Sequence, residues 1–161
     1  MPARTDNDAD DIGLLVSILR FASVISRPMR DGVADPAGLS SNELRLLMAL
    51  SGEGESAGHD LAEVMGMHAM TVSRALASLD RMGYVEQAED SSNRRRKPYR
   101  VSVEGKRVYR SLLPRIAAIA EHLFGSLSAR ERDSLETIVA KLDRQIAAWQ
   151  PEEKRPHVPR A

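Results

Sequence analysis

The chain has 161 residues, 42% hydrophobic and 29% charged, with 23 basic and 23 acidic side chains and no cysteine. That length suits one domain with a real core rather than two, and the missing cysteine excludes disulfides, thiolate nucleophiles, cysteine-ligated zinc and thiol-based redox sensing. Aromatics at 4% are too few for the base-stacking platforms of single-strand binders. No apolar run reaches the roughly 18 residues read as a membrane span, and the aspartate-rich start is unlike a signal peptide, so a cytoplasmic protein without a membrane partner is expected.

Residues 1–10 are acidic and aperiodic and are expected to form a disordered tail. Ile12, Leu15, Ile18, Leu19, Ala22 and Ile25 then keep helical spacing, while Leu14, Val16, Phe21 and Val24 widen the apolar surface beyond one stripe, so this helix wants partners on several sides. Pro28, Gly32, Pro36 and Gly38 predict a loop. Ser40 and Glu43 stand at capping-box spacing before Leu44, Leu47, Met48 and Leu50, which starts a second helix; Gly52, Gly54 and Gly58 punctuate the loop after it.

His59 to Met65 reads as a short helix with Leu61, Ala62 and Met65 on one face, and Gly66 as its left-handed stop. From His68 to Met82, the residues Val72, Ala75, Leu76, Leu79 and Met82 recur at helical spacing with one buried face. Gly83 stops that helix, Tyr84, Val85 and Gln87 make a strand, and Tyr99, Val101 and Val103 alternate with Arg100 and Ser102 as the returning strand. Two helices, a turn and a hairpin compose a winged helix-turn-helix, in which the second helix is the recognition element that enters the major groove of duplex DNA.

Net charge is zero, but its distribution is uneven: from Arg94 to Arg110 there are eight Lys or Arg residues against one acid, Glu104. Phosphate binding needs cations only where contact is made. The hairpin tip, with Asn93, Arg94, Arg95, Arg96 and Lys97, is therefore the expected backbone contact, and His68, Met70, Thr71 and Arg74 on the first turns of the recognition helix are the expected contacts to base edges. A solvated turn for Arg94 to Lys97 and a solvated surface cation for Arg74 are the plain alternatives, and their position after a helix-turn-helix argues against both; for His68 a helix cap stands as an equal alternative to a DNA contact.

Val108, Leu112, Ile116, Ile119 and Leu123 line a long helix over Lys106 to Phe124, with Pro114 a candidate kink. Ser128 and Glu131 repeat the capping-box spacing before a last helix bearing Leu135, Ile138, Val139, Leu142, Ile146 and Trp149, and residues 151–161 read as a disordered tail. Flanking helices this apolar exceed the needs of one small module. Ile12, Leu15, Ile18, Leu19 and Ile25, with Leu135, Ile138, Leu142, Ile146 and Trp149, are taken as a dimerisation surface.

In this order and spacing the chain resembles the MarR (multiple antibiotic resistance regulator) family of bacterial transcription regulators. The resemblance runs from about Asp11 to Trp149 and is carried by Leu39-Ser40-x-x-Glu43-Leu44, by Leu61-Ala62, by Thr71-Val72-Ser73-Arg74-x-Leu76-x-x-Leu79-x-x-x-Gly83-Tyr84-Val85 and by Leu127-Ser128-x-x-Glu131. It implies a mainly α protein over residues 11–150: a winged helix-turn-helix over about 39–104, with a three-helix core and a two-stranded wing, flanked by N- and C-terminal dimerisation helices over about 11–31 and 105–149. It also implies a homodimer on a palindromic double-stranded operator, repression as the usual outcome, and a small-molecule effector between the dimer helices and the winged module. No cofactor is implied. One departure lies in the wing, where the family's aspartate is replaced by Asn93, which can hydrogen-bond but cannot form an ion pair.

Other chemistry finds little foothold. His59 and Glu63 lie one turn apart but lack a third ligand, which reads as a surface pair and not a metal site. The glycines at 52, 54 and 58 have the wrong spacing for a dinucleotide loop, and no nucleophile elbow or apolar carboxylate pair is present, so no enzyme is expected. Met48, Met65, Met67, Met70 and Met82 are read as core more readily than as a plastic pocket. The rival reading is a winged-helix adaptor that binds a ligand or protein without specific DNA binding, in keeping with zero net charge.

Overall fold

A computed structural model describes residues 6–88 and 98–149. Its helices are α1 (Asp6–Met29), α2 (Ser41–Glu53), α3 (Gly58–Val64), α4 (Ala69–Arg81), α5 (Val103–Phe124) and α6 (Ala129–Ala148); its strands are β1 (Ser56–Ala57), β2 (Val85–Gln87) and β3 (Pro98–Val101). The chain forms two compact units, Met1–Ile119 and Ala120–Ala161.

In the first unit, α1 starts at Asp6, inside the stretch expected to be a tail. Acidic residues suit the positive end of a helix dipole, so the composition that suggests a tail also suits a first turn. The loop expected from Pro28 to Gly38 is mostly helical: Pro28 sits inside α1, a π-turn follows over Arg30–Ala34, and a 3-10 turn over Asp35–Ala37 ends at Gly38. Tertiary packing overrides the local breakers. Val33 and Ala34 are fully buried, and the Arg115 Nη1 of α5 donates to the Gly32 carbonyl at 3.2 Å.

The helical stretch Asp10–Ala37 is long and apolar enough to cross a membrane by length and composition. That corrects the expectation that no run is. Arg20 and Arg27 interrupt it.

Around α2 the reading holds closely. The Ser40 hydroxyl accepts the Glu43 N–H at 3.3 Å and Glu43 Oε2 accepts the Ser40 N–H at 2.6 Å, closing the capping box. Leu44, Leu47 and Leu50 are buried from that start, and they meet Leu61 of α3 and Val72, Leu76 and Leu79 of α4 in one core. Val85 of β2, Val101 of β3 and Leu112 of α5 close it.

The sheet has three strands, ordered β1-β3-β2 and antiparallel throughout, where two were expected. Ser56 and Ala57 pair with Tyr99 and Pro98, and two residues are too few to show a strand period. Val103, expected as the end of the returning strand, instead opens α5 and is 86% exposed. The chain turns because the Ser102 hydroxyl accepts the Gly105 N–H at 2.9 Å, as an N-cap does, while donating to the Gly83 carbonyl at 2.6 Å.

The second unit holds the end of α5, a tight turn and α6. The Ser128 hydroxyl accepts the Glu131 N–H at 3.4 Å, and Glu131 Oε2 accepts the Ser128 N–H at 2.8 Å and hydroxyl at 2.7 Å. Leu135, Ile138, Leu142 and Ile146 of α6 are exposed, and so is Trp149, the extended residue that caps it.

Candidate nucleic-acid interface

The turn between α3 and α4 depends on left-handed backbone. Gly66 (φ +58) ends α3, and Gly83 (φ +72) ends α4, both as the sequence predicts; a side chain there would be strained. Arg45 of α2, not singled out from sequence, donates its Nη2 to the Met65 carbonyl at 3.0 Å and so pins the end of α3.

Helix α4 divides cleanly. Val72, Ala75, Leu76 and Leu79 are buried, and the opposite face carries Met70, Ser73, Arg74, Ala77 and Arg81. His68 is the N-cap residue, yet its imidazole makes no cap bond: its carbonyl accepts the Thr71 and Val72 N–H groups at 2.9 and 3.1 Å. His68, Met70 and Arg74 are exposed and Thr71 is half-buried, so the structure brings the four expected contacts together at the amino-terminal half of one helix. Arg74 makes no hydrogen bond or ion pair with the described residues.

Glu43 of α2 lies close to this helix, near Ser78 and Arg81. Burial would raise its pKa, but hydrogen bonds from the Ser78 side chain, the Ser40 backbone and the Ser40 hydroxyl, with the charge of Arg81, hold it below the ordinary value.

The wing strands pair with Val85 opposite Val101, Glu86 opposite Arg100 and Gln87 opposite Tyr99, and the Ala88 N–H extends the ladder to the Pro98 carbonyl at 2.8 Å. Asn93, Arg94, Arg95, Arg96 and Lys97 lie outside the described residues.

Basic residues after the tip are less available than their count suggests. Arg100 donates to Glu86 at 2.8 Å and to Glu55 at 3.3 Å, tying all three strands together, and these two bonds raise its pKa further. Arg107 donates to both Glu104 oxygens, at 2.9 and 2.6 Å, which raises its own pKa and lowers that of Glu104. Lys106 and Arg110 are left. They line, with Tyr109, Ser51, Leu50 and Val101, a cavity of about 630 Å³ between the end of α2 and the start of α5. A second, apolar hollow of about 470 Å³ lies on the second unit, walled by Phe124, Leu135 and Val139. His59 pairs with Asp60 at 2.8 Å.

Residues 37–96 match the sequence model of the MarR family. The winged-helix module is a MarR-family domain. A MarR-family transcriptional regulator from Silicibacter pomeroyi is 24% identical over 84% of this chain and 89% of its own, at a TM-score of 0.69. The PcaV transcriptional regulator from Streptomyces coelicolor, solved in complex with its natural ligand, is 25% identical over 87% of this chain and 96% of its own, at a TM-score of 0.63. BpsR of Bordetella bronchiseptica, whose DNA binding is regulated by 6-hydroxynicotinic acid, is 19% identical over 82% of this chain and 98% of its own, at a TM-score of 0.66. No curated protein sequence matches. These likenesses reach beyond the MarR domain to the flanking helices, so the resemblance drawn from Asp11 to Trp149 holds at the level of the fold.

Proposed function

We propose that this protein is a cytoplasmic, homodimeric transcription regulator that binds a palindromic double-stranded operator, represses from it and is released by a small ligand. The observation that carries the reading is the amino-terminal half of α4, where the MarR domain presents Arg74 exposed beside Met70 and His68, with no ion pair among the described residues. A helix so placed reads the major groove with its first turns, while wing cations hold the phosphates. Dimerisation would cover the exposed faces of α1 and α6, and would give α1 a protein partner where its composition alone would also suit lipid.

For the effector, the cavity beside Lys106, Tyr109 and Arg110 is the candidate site: two cations and a phenol above an apolar floor suit a small organic anion. The support from relatives is limited to what is said of them, a natural ligand for PcaV and 6-hydroxynicotinic acid for BpsR.

A second reading, an adaptor without specific DNA binding, draws on the internal ion pairs of Arg100 and Arg107, which remove two cations from any phosphate contact. One experiment separates the two. Genomic fragments retained by the purified protein are sequenced, and affinity is compared between the recovered site and a scrambled duplex at one salt concentration. The regulator reading expects a palindrome with half-site centres about 10 base pairs apart and at least a thousandfold preference. Equal affinity for both duplexes would leave the adaptor.

A further inference from the structure

Recognition helices that carry polar residues along the groove-facing stripe read hydrogen-bonding patterns. The stripe on α4 interleaves apolar residues with polar ones. Met70, Arg74, Ala77 and Arg81 follow one another at helical spacing, with Ser73 beside them, on the face opposite the buried Val72, Ala75, Leu76 and Leu79. Met70 is 64% exposed, although nothing in the helix-turn-helix keeps it out of water and Met65, Met67 and Met82 of the same region all pack against the core. Ala77 is exposed one turn beyond Arg74.

We infer that α4 reads thymine methyl groups, with Met70 and Ala77 as the reading residues, on either side of a guanine read by Arg74. This rests on the proposal that α4 enters the major groove of an operator. Three physical points support it. In that groove only thymine offers an apolar group, its C5 methyl, and small or flexible apolar side chains are what match it. Arginine's two-pronged match is to the O6 and N7 of guanine. From Met70 to Ala77 the helix rises about 10 Å, which spans roughly three base-pair steps at 3.4 Å each, so an apolar, a cationic and an apolar contact fit within one half-site. Methionine's unbranched, polarisable chain can follow a methyl across small changes of docking angle, which a branched side chain cannot.

Thymine and uracil differ only by that methyl group. The test therefore compares the recovered operator with the same duplex carrying uracil at the half-site thymines, and repeats both titrations with Met70→Ala. Both Met70 and the substituted alanine lie in solvent in the free protein, so folding is not at stake; circular dichroism checks it. Each methyl removed should weaken the wild type about fourfold, the equivalent of one buried methylene. The fourfold loss should disappear for the thymine facing Met70 in Met70→Ala, and remain for the one facing Ala77. Specific binding that is unchanged by uracil in the wild type would overturn this inference and leave the regulator reading intact. Equal binding of operator and scrambled duplex would overturn both.

Discussion

Gly105 sits where α5 presses on the start of the wing, and a methyl group built on its Cα would lie 1.9 Å from the Tyr84 carbonyl oxygen. Backbone cannot yield as a flexible side chain would, so Gly105→Ala should cost about 3 kcal/mol, the upper end of ordinary overpacking. Urea denaturation of the variant and the wild type measures it, and a loss under 1 kcal/mol would show that the two segments can separate freely. Arg74 is the residue whose loss should separate readout from attraction. Arg74→Ala should weaken operator binding by about 1–3 kcal/mol and scrambled DNA much less. Equal losses on both duplexes would reduce Arg74 to a phosphate contact. Neither role asks the same of sequence. Arg74 could be picked out by its place in the motif, whereas Gly105 looks like any glycine near a helix start until Tyr84 is seen across from it.

Among the elements, those with local causes were legible. The capping boxes at Ser40–Glu43 and Ser128–Glu131 and the glycine stops at Gly66 and Gly83 formed where their spacing placed them, because each needs only its own few residues. Elements that depend on distant partners were missed. Strand β1 exists because β3 has a free edge, the turns after Pro28 because Val33 and Ala34 find a core, and the helical start at Val103 because Ser102 finds Gly83. The contact between α2 and α4 has a pH signature. Glu43 is held below its ordinary pKa in the folded chain, so its charged form adds stability that is present above the unfolded value and lost as pH falls through the folded one. Stability of the wild type should therefore decline on acidification below the ordinary carboxylate range, and Glu43→Gln should be less stable at neutral pH with a shallower decline. Urea midpoints measured from neutral to acidic pH check this; parallel profiles for the two proteins would assign the acid sensitivity elsewhere.

For the molecule as a whole, the exposed apolar surface decides the state of association. Leu15 and Leu19 on α1 are more than half exposed, as are Ile138, Ile146 and Trp149 in the second unit. Soluble monomers rarely leave apolar helix faces of this extent bare. Sedimentation at micromolar concentration should show a dimer, and Leu19→Glu should shift it toward monomer with its helical circular dichroism retained. A wild-type monomer would remove the palindrome from the proposed function as well.

The two hydrogen bonds of the Ser102 hydroxyl, donated to the Gly83 carbonyl on one side and accepted from the Gly105 N–H on the other, fasten the far end of α4 to the first turn of α5. In the regulator proposed above, the two helices would act as the arms of a bell crank with its pivot at that serine. The reading arm, from Gly83 back to His68, is about 20 Å long. Rotating α5 by about ten degrees sweeps the tip of that arm through roughly 3.5 Å, the height of one base pair. In the proposed dimer such gearing would convert a small tilt of α5 into a full step of register on DNA.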